Sequence, residues 1–168
     1  MENKIENMKI LVVTNLFHPD RGGGASVFSD LCYGLVQRGH QVSVYTTYPY
    51  YPEWRNKSGL SPWRTRRENI EGVEVYRYGL YIPKNPSALF PRIAYELSFT
   101  LSLLRSIPRM QRFDAVMVFC PLAGAVVYAA LRTALFREPL WLNVQDIPAD
   151  AAAASGISQS RLFNRLGE

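Results

Sequence analysis

The sequence predicts an α/β protein built on one doubly wound, mainly parallel sheet. Three observations carry this. Residues 10–13 (ILVV) are a continuous apolar run, the pattern of a strand buried on both faces of a parallel sheet. That run feeds a polar, glycine-bearing turn, residues 14–24, which opens a helix. Short apolar or alternating runs then recur with helical stretches between them, in the order β-α-β-β-α-β-α-β.

Residues 25–39 read as a helix with Val27, Phe28, Leu31, Cys32, Leu35 and Val36 on one face and Gly39 as its stop. Residues 41–46 (QVSVYT) alternate and are rich in β-branched side chains, a second strand. Residues 48–69 (YPYYPEWRNKSGLSPWRTRREN) read as one long proline-punctuated loop, too aromatic for disorder. Residues 72–78 (GVEVYRY) give a third strand, and residues 80–92 a second proline-rich connection. A helix over 93–110 follows, with Leu97, Leu101 and Leu104 on a stripe and Arg105, Arg109 and Arg112 near its end, where the helix dipole favours cations. Residues 115–119 (AVMVF) form the fourth strand, 121–136 an almost wholly apolar helix opened by Pro121, and 140–144 (LWLNV) the fifth strand. Residues 148–168 are read as a last helical region with Leu162, Phe163 and Leu166 on its apolar side. Ligands of such sheets sit outside the carboxyl ends of the strands, where His18, Gly23, Tyr48, Cys120 and Asp146 are expected.

Composition narrows the function classes. In 168 residues, 48% apolar, no run approaches the length of a membrane-spanning helix, and the polar start does not read as a leader. Cys32 and Cys120 read as buried reduced thiols of a cytoplasmic protein. With only His18 and His40 to assist them, no metal site is expected. The glycines lack the G-x-G-x-x-G spacing, and the second strand ends in Tyr45, Thr46 and Thr47 rather than an acid, which argues against a dinucleotide cofactor. Residues 55–112 hold eleven basic side chains against four acidic ones, a net of +7 that leaves −2 for the remainder of a chain with net charge +5. This basic, aromatic segment suits an anionic membrane face or a phosphorylated acceptor, and it contains no nucleic-acid-binding motif.

The opening, MKILVVTNLFHPDRGGGASVFSDLCYGLVQRGHQVSVYTT, and the later VQDIPADA resemble the N-terminal domain of retaining GT-B glycosyltransferases of family 4. YPYYPEW, SPWRTRRE and LYIPKNPSAL are similar to the branch containing colanic-acid fucosyltransferases and related surface-polysaccharide enzymes. The resemblance covers nearly all of the chain. It implies that residues 1–168 are the Rossmann-like acceptor-side half of a GT-B fold, without the donor-binding C-terminal domain and its glutamate motif.

The resemblance also assigns residues. Gly23 and Gly24 would face the donor diphosphate through backbone N–H groups. Asp146 would orient the acceptor hydroxyl or stabilise developing charge, or else accept hydrogen bonds from its own turn. Asp150 reads as a first-turn residue. Read from the residues themselves, His18 would touch a ligand or serve as a turn residue; Tyr48, Tyr51 and Trp54 would stack on the acceptor's sugar rings, sit in the membrane interface or pack the long loop; and Arg64, Arg66 and Arg67 would take the acceptor diphosphate or form a solvated charged face. Where many relatives carry a histidine after the fourth strand, this chain has Phe119 and Cys120. The implied donor is a nucleoside-diphosphate sugar, GDP-fucose in that branch. The implied acceptor is a growing or lipid-linked saccharide at the inner membrane face. The mechanism implied needs neither metal nor cofactor. The competing reading is a non-catalytic binding or membrane-recruitment module that works with a separate catalytic partner.

Overall fold

The structure is a computed structural model that describes residues 7–22, 24–61, 63–85, 88–107, 111–120 and 123–144. The elements run β1 (Lys9–Val13), α1 (Ala25–Gln37), β2 (Gln41–Thr47), β3 (Arg66–Ile70), β4 (Val73–Tyr78), α2 (Leu89–Leu104), β5 (Ala115–Cys120), α3 (Ala123–Phe136) and β6 (Leu140–Val144). They build one six-stranded sheet of order β3-β4-β2-β1-β5-β6. Every neighbouring pair is parallel except β3 with β4. The expected doubly wound α/β fold is therefore the observed one.

The apolar run of β1 lies at the centre and is buried on both faces. Ile10 and Val12 join Phe28 and Cys32 of α1, together with Val42, Val44, Val73 and Val75. Leu11 and Val13 point the other way, into a cluster with Tyr95, Phe99 and Leu103 of α2 and Tyr128 and Ala129 of α3. Each such side chain fully removed from water contributes about 1.5–3 kcal/mol, so these two layers dominate the stability.

Three expectations are corrected. Residues 66–69, assigned to the long loop, form β3 together with Ile70 and pair antiparallel with β4, Arg66 opposite Arg77 and Ile70 opposite Val73. The connecting residues Glu71 and Gly72 have φ of 49° and 83°, the doubly left-handed pattern of a two-residue hairpin. The strand is polar because it is an edge, where charge discourages further pairing. The helix expected over 93–110 begins earlier, at Leu89, because Pro91 sits in its first turn, where a missing N–H costs no helical bond. It also ends earlier, at Leu104, before Pro108. Finally, Leu97 and Leu101, placed on the apolar stripe of this helix, are exposed. The side that α2 buries carries Tyr95, Phe99, Ser102 and Leu103. The helical region expected over 148–168, with Asp150, lies outside the described residues.

Away from the strand ends, Arg132 of α3 is wholly buried. It makes two 2.7 Å contacts with Glu138 and lies between the rings of Phe113 and Phe136. Glu138 also accepts the Phe113 N–H at 2.7 Å. This pair joins the end of α3 to the start of β5.

Candidate functional site at the carboxyl edge of the sheet

Where β1 ends, the chain turns through Thr14–Asn15 and enters the loop that leads to α1. Asn15 is buried, and its Nδ2 donates to the hydroxyls of Tyr50 (3.0 Å) and Tyr95 (3.3 Å), which also touch each other. The Asn15 carbonyl accepts the Thr47 hydroxyl at 2.8 Å, fastening the end of β1 to the end of β2. Burial pushes both tyrosine pKa values up, so neither is ready to lose its proton.

Asp20 is the second anchor. One carboxylate oxygen accepts the backbone N–H groups of Tyr50 and Tyr51, each at 2.9 Å. The other has no hydrogen-bond partner among the described residues. Burial raises the Asp20 pKa, opposed in part by those two N–H groups and by Lys57 and Arg77. Arg77 is the third anchor and is 3% exposed. Its guanidinium donates to Glu68, to the Thr47 carbonyl at 3.1 Å and to the His18 carbonyl. One buried cation thus holds the edge hairpin, the end of β2 and the loop before α1 in fixed relation.

That loop presents the N-terminus of α1 at the carboxyl edge. Gly24 is the N-cap at φ 85°, with no side-chain cap and no acidic residue in the first turn. Its carbonyl accepts the Phe28 N–H at 2.9 Å, while the opening N–H groups of the helix lack a side chain of their own to bind. Such an end favours an anion. A cavity of about 350 Å³ opens beside it, lined among others by His18, Asp20, Arg21, Ser26, Asp30 and Tyr33.

The structure distributes the expected site residues unevenly. His18 is exposed at the cavity wall, its own N–H bonded to Ser29 Oγ at 3.0 Å. Gly23 and Asp146 lie outside the described residues. Tyr51 and Trp54 are half-buried and form an aromatic cluster with Tyr50 and Tyr95, centroids 5.7–6.5 Å apart, that packs the long loop onto α2. Tyr48 is buried, and its hydroxyl donates to the Arg64 carbonyl at 3.1 Å. The three arginines do not converge. Arg64 is exposed on the loop, whereas Arg66 faces Glu68 at 3.5 Å. Arg67 points to the opposite sheet face, where it pairs with Glu74 and lies over Tyr76.

That opposite face holds a second, larger cavity of about 830 Å³, with Tyr45, Tyr76, Tyr78 and Arg105 among its walls. It lies over the strands and not at their carboxyl ends, so the smaller cavity is the candidate site. Asn15, Asp20 and Arg77 were not singled out from the sequence. Arg77 carried a readable signal, since it shares the inward phase of Val73 and Val75, and a charge in that phase needs buried partners.

This architecture defines an open α/β domain whose candidate ligand site lies at the strand ends beside a glycine-capped helix. Residues 22–168 match the Glycosyl transferase 4-like domain, and the chain belongs to that family. It is 32% identical over 154 residues to WcaI of Escherichia coli (strain K12), named as a colanic acid biosynthesis glycosyl transferase. That similarity takes in 90% of this chain but 37% of the relative, so the chain spans little more than a third of its length. Among solved structures, the C-terminal domain (residues 78–226) of the PF1911 hydrogenase from Pyrococcus furiosus superposes with a TM-score of 0.50 at 14% identity, covering 82% of this chain and 93% of that one. At that identity the likeness concerns the fold alone.

Proposed function

We propose that the chain is the acceptor-side domain of a retaining glycosyltransferase that moves a sugar from a nucleoside diphosphate to a growing or lipid-linked surface-polysaccharide acceptor. GDP-fucose is the donor in the branch it resembles. A second, donor-binding domain faces the carboxyl edge and completes the cleft. The enzyme works in the cytoplasm, against the inner face of the membrane. The observation that carries this reading is the family match joined to a helix N-terminus without a side-chain cap at the carboxyl edge.

In the proposed reaction the acceptor hydroxyl attacks the anomeric carbon on the side from which the diphosphate leaves. The bond to the diphosphate oxygen breaks with its electron pair on that oxygen. The new glycosidic bond forms, and the hydroxyl proton passes to the departing diphosphate. No metal or cofactor is required for that balance. The first turn of α1, with Gly23 and Gly24, would stabilise the charge growing on the diphosphate. His18, Tyr51, Trp54 and Arg64 border the acceptor's approach. Tyr48 contributes by holding the Arg64 backbone, and Arg66 by lining the same edge. Arg67 belongs to the other face and takes part only if the acceptor extends across the hairpin. Asp146 is assigned the acceptor hydroxyl.

The test uses the complete enzyme with a panel of sugar nucleotides, following nucleoside diphosphate release and the anomeric configuration of the product. Gly23→Val should remove turnover and leave the fold intact, because a branched side chain fills the ligand's space. Full activity of that variant, or a product of inverted configuration, would end the proposal.

A further inference from the structure

α2 is apolar on its outer side. It buries Tyr95, Phe99 and Leu103, yet Leu89, Phe90, Ile93, Leu97 and Leu101 are 69%, 82%, 44%, 56% and 61% exposed. Leu89 and Phe90 open the stripe and Ile93, Leu97 and Leu101 continue it at spacings of three or four, so the five run about 18 Å along the helix surface. α3 packs beside α2, with Gly124 seated against Thr100 and the Glu96 backbone. It turns Val127, Leu131 and Leu135 outward as well, 46–64% exposed. Its outer side is uncharged, since its one charged residue, Arg132, is buried. A helix facing water carries polar residues there, and contiguous apolar surface of this extent marks an interaction site.

The flank of the stripe is basic. Residues 81–107 contain Lys84, Arg92 and Arg105 against the single acid Glu96; Arg92 faces that acid at 3.5 Å and lies over the ring of Tyr95 on the buried side, which leaves the exposed Lys84 and Arg105 as the outward cations. Arg105 lies 5.5 Å from the centre of the Trp63 ring, and that tryptophan is 75% exposed. An apolar stripe, a cationic rim and an exposed tryptophan are what a helix lying in a lipid interface requires. Charge separates the possible occupants. A second copy of this chain would set one basic rim against another, whereas an anionic leaflet complements both the rim and the stripe. α2 has 16 residues, and no helix among the described residues is long and apolar enough to cross a membrane.

We propose that the outer face of α2, continued by α3, is the surface by which this domain docks on anionic membrane. The stripe lies below the headgroups, and Lys84 and Arg105 lie among them. This deepens the membrane-face part of the proposed function and moves it from the arginines of the long loop to a helix. Arg66 and Arg67 are already paired with Glu68 and Glu74.

The test is sedimentation of the 168-residue chain at low salt with vesicles of equal parts phosphatidylglycerol and phosphatidylcholine. Wild type and the triple variant R64S/R66S/R67S should pellet alike, and L97S/L101S should bind at least about tenfold more weakly. Both leucines face solvent, so far-ultraviolet circular dichroism should show the fold retained. Failure of wild type to pellet would overturn the proposal, as would equal pelleting of L97S/L101S or equal binding to pure phosphatidylcholine. A self-associated wild type that L97S/L101S converts to monomer would assign the stripe to a protein contact instead and overturn it too. The transferase reading is judged separately. In the complete enzyme L97S/L101S should keep its turnover of a soluble acceptor and lose it on one embedded in vesicles.

Discussion

A single oxygen makes Asp20 informative. Its Oδ1 satisfies two backbone donors of the long loop, while Oδ2 is buried with no hydrogen-bond partner among the described residues. Asp20→Ala removes the acceptor and strands both N–H groups, so it should destabilise the chain by about 2–4 kcal/mol in urea unfolding. Asp20→Asn keeps the accepting oxygen and removes the buried charge, and should lie within about 1 kcal/mol of wild type at neutral pH. The pH dependence has a definite sign. Because burial raises the folded pKa, the folded state holds the proton more tightly than the unfolded one. The contribution of Asp20 is therefore fully present below its unfolded pKa and is lost as pH rises through the folded value. Wild type should gain on Asp20→Asn as pH falls through that window, and a gap independent of pH would show that the carboxyl is not strained by burial. Gly24 gives a second residue-level prediction. At φ 85°, with an added Cβ 2.6 Å from the Phe28 ring, Gly24→Ala should cost roughly 2–4 kcal/mol by the same measurement. Loss of activity in a Gly24 variant would thus report on folding, and the proposed ligand contact is tested at Gly23 instead.

At the scale of elements, the β3–β4 hairpin depends on its turn. Gly72 has φ 83°, and an added Cβ would stand 2.8 Å from Val36 Cγ1 of α1. Gly72→Ala should cost about 1–3 kcal/mol and speed amide exchange at Arg66–Ile70 ahead of β1 and β2. Uniform exchange across the sheet would show that β3 is held by something other than its turn. The same hairpin shows where the sequence stops being legible. The central strands carry unbroken apolar runs because both faces are covered, so ILVV and AVMVF could be read directly. RRENI lies at an edge and has one apolar side chain, so hydrophobic pattern does not mark it, and only the EG turn before VEVYRY points to it. α2 was readable as a helix but not in its orientation. It has apolar residues on both sides, and periodicity alone does not distinguish the side facing the sheet from the side facing outward. Within the site, the glycine turn could be read from local order. Asn15 and Asp20 act through partners 30 to 80 residues away and Arg77 through partners 9 to 59 away; the inward phase of Arg77 marks it as needing partners, but local spacing does not reveal which.

For the molecule as a whole, the proposed function makes the carboxyl edge one wall of a site. The first turn of α1, the loop at His18 and the aromatic cluster around Trp54 are held rigidly by Asp20 and Arg77. Prearranged donors of this kind act most strongly in a closed, water-excluded cleft, where each can be worth about 3–4 kcal/mol in the rate of the chemical step. On an open edge the same donors face water, and the developing diphosphate charge is solvated instead. The 168-residue chain by itself should therefore turn over no sugar nucleotide above the hydrolysis background, even at high concentration. The longer protein that adds the proposed donor-binding domain should transfer the sugar. Supplying that domain as a separate polypeptide should restore part of the activity, in proportion to the fraction of chains in complex. The measurement is nucleoside diphosphate release for each preparation over a common range of donor. Turnover by the isolated chain, retained after a Gly23→Val substitution that leaves its fold intact, would mean that neither a second domain nor the glycine turn is needed, and would return the carboxyl edge to a purely structural role.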